Sequence, residues 1–104
     1  MSDAITESHK NFLVHEINDS GLCLVVNERT FPRHYHSNSD ELFLVLEGKL
    51  TVEFADSPAF RLEPKDTLLV RRGQVHRTIA NGRTVNLCFE LLNSDTIMVE
   101  ELSI

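Results

Sequence analysis

The chain has 104 residues, 41% of them apolar, and a formal net charge of −6. That supplies one real core, leaves little material for a second domain, and is too apolar for a disordered chain. The acidic balance argues against a nucleic-acid partner, because phosphate backbones are repelled unless a basic stripe offsets the charge.

The first eleven residues are polar and read as a flexible lead-in (1–11) to one domain over 12–104. Met1 to Glu7 lacks the basic start and apolar stretch of a secretory leader, so a cytoplasmic location is expected. Phe12 to Ile17 and Leu22 to Asn27 then read as strands, separated by the turn residues Asn18-Asp19-Ser20-Gly21. Pro32 to His36 is a short third run. Glu41 to Glu47 is the most apolar, and turns at Glu47-Gly48-Lys49 into Leu50 to Ala55, which predicts a hairpin. Asp56-Ser57-Pro58 breaks the chain before Ala59 to Glu63, and Pro64-Lys65-Asp66 turns it into Thr67 to Arg71. Gly73 precedes Val75 to Ala80. Asn81-Gly82 is a strong two-residue hairpin signal leading to Thr84 to Leu92, and Thr96 to Leu102 reads as a closing strand.

No stretch carries a sustained helical period behind a cap, so the fold class is all-β, a sandwich or barrel of short strands. In Leu50-Thr51-Val52-Glu53-Phe54 apolar and polar residues alternate, as on a strand with one wet face. Leu42-Phe43-Leu44-Val45-Leu46 does not alternate, so both of its faces need cover. A chain this short has few residues for a further layer, and a homodimer is expected. This run is also the longest apolar one, far below the ~20 residues that span a bilayer as a helix, and no membrane partner is expected.

The informative stretch is His34-Tyr35-His36-Ser37-Asn38-Ser39-Asp40-Glu41. Period-two geometry points His34 and His36 the same way and Tyr35 the opposite way. Glu41 returns beside the two imidazoles if its strand pairs with theirs, and His76 is expected to supply a third imidazole from across the barrel. Three neutral imidazoles and one carboxylate suit one divalent transition metal, Fe, Mn, Ni, Zn, Co or Cu, and suit calcium or magnesium poorly. An octahedral ion held by four such ligands keeps two positions for water, dioxygen or a chelating molecule.

These residues resemble the two signature motifs of the cupin superfamily. The first has HxH, three or four residues, Glu, six residues and Gly, met here by His34, His36, Glu41 and Gly48. Gly73 and His76 match the centre of the second. Its opening glycine, its proline and its asparagine are Lys65, Arg71 and Ala80 in this chain, and the glycine expected before the first motif is Glu28. The resemblance covers about residues 22–92 and implies a single-domain cupin barrel, the double-stranded β-helix or jelly-roll. It is strongest to the small cupins labelled mannose-6-phosphate-isomerase-like. Metal-dependent isomerases, epimerases and dioxygenases all use this barrel. The resemblance therefore implies a small polar ligand, sugar- or keto-acid-like, at a His3Glu site, with a non-catalytic metabolite-binding module as the alternative.

Alternation places Phe43 and Val45 on the Glu41 face and Thr78 on the His76 face, as lining of the pocket. Arg33, Arg71, Arg72, Arg77 and Arg83 are nearest the site in sequence and read as solvated strand arginines. His9 and His15 have no ligand spacing. Cys23 and Cys88 read as reduced core residues. No acid or base outside the ligand set stands out.

Overall fold

The computed structural model describes residues 9–100, which form ten strands and no helix. They are β1 (His9–Ile17), β2 (Ser20–Asn27), β3 (Phe31–Tyr35), β4 (Glu41–Glu47), β5 (Leu50–Phe54), β6 (Phe60–Leu62), β7 (Thr67–Val70), β8 (His76–Ala80), β9 (Thr84–Leu91) and β10 (Ile97–Met98). β1 starts at His9, three residues before the expected Phe12, so 9–11 of the expected lead-in are strand. Residues 1–8 lie outside the described residues. The closing strand is two residues long, and the Leu102 end of the expected run also lies outside them.

Two five-stranded sheets face one another. The first has the order β1-β2-β9-β4-β7 and the second β10-β3-β8-β5-β6, with every pairing antiparallel. This is the double-stranded β-helix. Among the described residues its two sheets are not closed on each other by strand pairing into a continuous barrel. Among the described strands only β1–β2 and β5–β6 are consecutive and paired.

Two expected hairpins are therefore corrected. Gly48 and Asn81-Gly82 do reverse the chain, but β4 to β5 and β8 to β9 each cross from one sheet to the other. Gly48 shows why the crossover needs glycine. Its φ is +77°, and a Cβ there would sit 2.6 Å from the Arg83 carbonyl oxygen, so a side chain meets both a strained conformation and fixed backbone.

The core lies between the sheets. Val45, Leu50 and Val52 are fully buried, joined by Val25, Phe43, Leu62, Val70 and Cys88. β5 shows the expected alternation, with Leu50, Val52 and Phe54 inward and Thr51 and Glu53 outward. β9 inverts the usual pattern. Its inward residues Thr84, Asn86 and Cys88 are polar or small, while Leu87 and Phe89 sit on the outer face. Both cysteines are free thiols, Cys88 in the core and Cys23 packed against it.

Candidate metal centre

Sequence spacing brings the four candidate ligands together, though by a different route from the one expected. β3 and β4 do not pair. They lie in different sheets, and Ser37 to Asp40 carries the chain between them. His76 is not across the interior from His34 but directly beside it, in register on β8. Glu41 is the residue that arrives from the opposite sheet. The result is a histidine wall on the second sheet facing one carboxylate on the first.

All four side chains are buried, His76 completely. One donor atom from each of His34, His36, Glu41 and His76 lies within 4.8 Å of every other. The ring centroids of His34 and His76 are 4.3 Å apart, and those of His34 and His36 are 5.0 Å apart.

The backbone fixes how each ring faces. Nδ1 of His34 donates to the Pro32 carbonyl at 2.8 Å, Nδ1 of His36 to the Asp95 carbonyl at 2.6 Å, and Nδ1 of His76 to the Gln74 carbonyl at 2.9 Å. A carbonyl accepts only, so each Nδ1 must carry the proton and each Nε2 is turned away from the backbone. Nε2 of His36 lies 3.0 Å and Nε2 of His76 3.5 Å from Oε1 of Glu41. Nε2 of His76 has no hydrogen-bond partner although it is wholly buried. An orphaned buried nitrogen of this kind costs free energy unless something occupies the space beside it.

The His36 carbonyl contact comes from a clamp. Asp95 accepts from the backbone N–H of Ser37 at 2.7 Å and from the Ser37 hydroxyl, while its own N–H donates to Asn38 at 3.0 Å. The amide of Asn38 donates to the Asn93 carbonyl at 3.0 Å. These bonds tie the segment after β9 to the loop between β3 and β4, and so hold His36 in orientation.

The electrostatics describe a site that keeps a positive charge in its middle. Burial pulls the His36 imidazole down, but the Glu41 hydrogen bond and the Asp95 carbonyl outweigh it and raise the group to about 9. Burial pushes Glu41 up, yet the hydrogen bond from His36 and the neighbouring His76 ring win and lower it to about 2. His34 is lowered to about 4, chiefly by burial, with His76 and His36 adding repulsion. The proton on Nε2 of His36 therefore sits where a cation would.

One functional group escaped the sequence reading. Glu90, at the end of β9, has Oε2 3.9 Å from Nδ1 of His36 and accepts from the Ser94 hydroxyl at 2.9 Å. Burial, then the neighbouring Glu41, raises its carboxyl. The available signal was the polar alternation Thr84, Asn86, Cys88, Glu90, hidden because the apolar residues between them look like the core face.

The other expected positions divide. The Phe43 ring lies 6.3 Å from that of His76 and borders the site. Val45 and Thr78 are buried deeper, Val45 four residues along β4 from Glu41 and Thr78 two along β8 from His76, opposite Val52 and Phe31. Three of the five arginines pair on the surface, Arg77 with Glu53 at 2.6 Å, Arg83 with Glu47 at 3.1 Å and Arg71 with Asp40 at 3.7 Å. His15 is exposed on β1, and Tyr35 is half-buried on the face away from the site.

The facing sheets and the histidine–carboxylate cluster define a cupin. The Cupin_2 family, described as "Cupin domain", matches residues 22–91, and the chain belongs to this family. Its relatives include the uncharacterized protein YdbB of Bacillus subtilis (strain 168), 42% identical over 97% of this chain and 89% of that protein. Among solved structures it is similar to a cupin-2 domain containing protein from Shewanella frigidimarina NCIMB 400. That likeness has a TM-score of 0.75 and 28% identity, over 79% of each chain. The fold is also shared with a cupin-superfamily sugar phosphate isomerase from Silicibacter pomeroyi DSS-3, at a TM-score of 0.78 and 19% identity over 94% of this chain and 69% of that one. No helix among the described residues is long and apolar enough to cross a membrane.

Proposed function

We propose that the protein binds one divalent transition metal through His34, His36, Glu41 and His76 and acts there on a small polar metabolite of sugar or keto-acid type. The observation that carries this reading is the common orientation of the three rings. Each spends its Nδ1 proton on a backbone carbonyl and so turns Nε2 away from the backbone, two of the three onto Glu41. The donors fit an ion of Fe, Mn, Ni, Zn, Co or Cu type. Bonds of about 2.1 Å span at most ~4.2 Å between opposite donors, so the 4.8 Å set closes by a fraction of an ångström around a cation. Such an ion would supply Lewis-acid activation or two open coordination positions.

The chain's own residues do the rest. His36 gives up its Nε2 proton when a cation takes that place, and the Asp95 carbonyl keeps the ring oriented. Phe43 borders the site with an apolar ring that excludes water. Glu90 places a second carboxyl 3.9 Å from Nδ1 of His36, behind the ring whose Nε2 faces Glu41. The reading favoured is an isomerase, epimerase or dioxygenase-type reaction, with a non-catalytic metabolite-binding module as the alternative. Free thiols at Cys23 and Cys88 fit a reducing, cytoplasmic compartment. The proposed protein partner is a second copy of the chain.

The test is elemental analysis of the purified protein beside a His34→Ala, His76→Ala double variant. One equivalent of transition metal in the first and almost none in the second is expected. Equal content in both would remove the metal reading. Turnover separates the two versions of the function: the metal-loaded protein should convert sugar phosphates or keto acids, whereas a binding module returns them unchanged.

A further inference from the structure

The chain has two cysteines, and the fold sets them side by side. Cys23 on β2 and Cys88 on β9 are directly opposite one another in the antiparallel register, flanked by the pairs Leu24–Leu87 and Leu22–Phe89. Both lie on the face turned between the sheets. Cys88 follows Thr84 and Asn86 on the buried face of β9. Cys23 stands between the buried Gly21 and Val25 on β2 and packs against the core that contains Cys88. Residues opposite one another in an antiparallel pair have Cα atoms about 4.5–5.5 Å apart, within the ~4.4–6.8 Å that a disulfide spans. Their Cβ atoms start ~4.5–5.5 Å apart and must close to about 3.5–4.5 Å. The two thiols are a small strand adjustment from bonding.

We infer that Cys23 and Cys88 form a reversible cross-strand disulfide when the protein meets a hydroperoxide, a redox-active pair in the sheet that carries Glu41. Their placement divides the roles. Cys88 is buried, and its Sγ accepts from Nδ2 of Asn86 at 3.2 Å. Cys23 is half-buried and is the sulfur that a small oxidant reaches first. In the first step the Cys23 sulfur attacks one peroxide oxygen. An S–O bond forms, the O–O bond breaks, and the thiol proton leaves with the departing hydroxide as water. In the second step the Cys88 sulfur attacks the sulfur of the Cys23 sulfenic acid. An S–S bond forms, the S–O bond breaks, and the second thiol proton leaves with hydroxide as a second water. The thiol pair gives up two electrons and one hydrogen peroxide is reduced.

Two features make this bond labile instead of permanent. The Cβ closure strains it, and strained disulfides have the higher potentials of bonds that reduce readily. Burial, and then the carboxylates of Glu41 and Glu90, raise both thiols, so little thiolate is present and attack on peroxide is slow. The pair therefore rests reduced and closes under a persistent oxidant. The register carries the effect towards the metal centre. Cys88 is also opposite Phe43 on β4, whose ring borders that of His76. β9 lies between β2 and β4, so closing the bond ties β9 to β2 and draws the Cys88 sulfur away from β4.

The test treats the purified full chain with excess hydrogen peroxide and counts thiols by alkylation after unfolding. The count should fall from two to none. Trypsin should then release the peptides Asn11 to Arg29 and Thr84 to Ile104 as one joined species, which dithiothreitol separates. Cys88→Ser should stop at a Cys23 sulfenic acid, captured by a cyclic 1,3-dione. Cys23→Ser should lose its one buried thiol roughly tenfold more slowly than the wild type loses its pair. The wild-type measurement needs no variant, so the test stands even if the Cys88→Ser chain does not fold. Two thiols that survive the treatment overturn the inference. So does a bond between two chains instead of within one, or a Cys23 sulfinic acid beside a reduced Cys88. None of these readouts depends on the metal.

Discussion

At one end of the space between the sheets the side chains are His34, His36, Glu41, His76 and Glu90. Further along β4, and on β5 and β6, they are Val45, Leu50, Val52 and Leu62. The apolar end is satisfied by contact alone. The polar end holds a wholly buried nitrogen with no partner, and keeps a proton between an imidazole and a carboxylate. One half is built to fold, and the other is left incomplete by folding. The strands carry both halves without conflict because alternate residues are independent along a strand: Glu41, Phe43 and Val45 step from the site to the core on one face of β4.

The largest effect expected from this contrast is on stability. Leu50→Ala removes a fully buried side chain and should cost ~2–5 kcal/mol, read from denaturant melts. Metal uptake per folded molecule should not change; a parallel loss of both would show that the two halves are not separable. His76→Leu sharpens the contrast from the other side. It should lower metal affinity at least ~100-fold, about 2.7 kcal/mol, while the melting temperature of the metal-free protein changes little, since loss of the orphaned Nε2 offsets loss of the Nδ1 bond to the Gln74 carbonyl. Calorimetry of the metal-free variant and titration with Mn(II) or Zn(II) measure the two halves of that statement.

A smaller effect belongs to the clamp. Asp95→Ala keeps the carbonyl that His36 uses but frees the segment from Ser37. Metal affinity should fall ~10-fold, in the range seen when outer partners of ligands are lost, with little change in melting temperature.

The smallest effect is the pH dependence of the metal-free protein. His36 is raised to about 9, so its contribution is complete below its ordinary value of 6.5 and fades as pH rises towards 9. His34 is lowered to about 4, so the unfolded chain takes up its proton first and stability falls as pH drops from 6.5 towards 4. Glu41, lowered to about 2, contributes above 4.5 and is lost only as pH falls through 2. The melting temperature should peak near pH 6.5, and His36→Gln should flatten the alkaline side. Metal uptake should release protons and strengthen up to about pH 9.

Much of this was legible in the residues. The strands fall where alternation and turn chemistry put them, within a residue or two for β4, β5 and β9. The sheet each strand joins was not legible. Gly48 and Asn81-Gly82 dictate a reversal, and a reversal is equally compatible with a hairpin and with a crossover between facing sheets. For the same reason the four-residue set of the site could be read from spacing while its arrangement could not. His76 stands beside His34, and Glu41 comes from opposite. Glu90 was missed because the apolar face of β9 is normally the buried one, and here both faces of the first sheet are apolar in part.

Anomalous scattering from crystals grown without added metal probes the centre most directly. A single strong peak about 2 Å from Nε2 of His34, His36 and His76 and from a Glu41 oxygen is the result expected, its absorption edge identifying the element. Density at that point with no anomalous signal, or a metal bound elsewhere with the Glu41–His36 hydrogen bond intact, would contradict it.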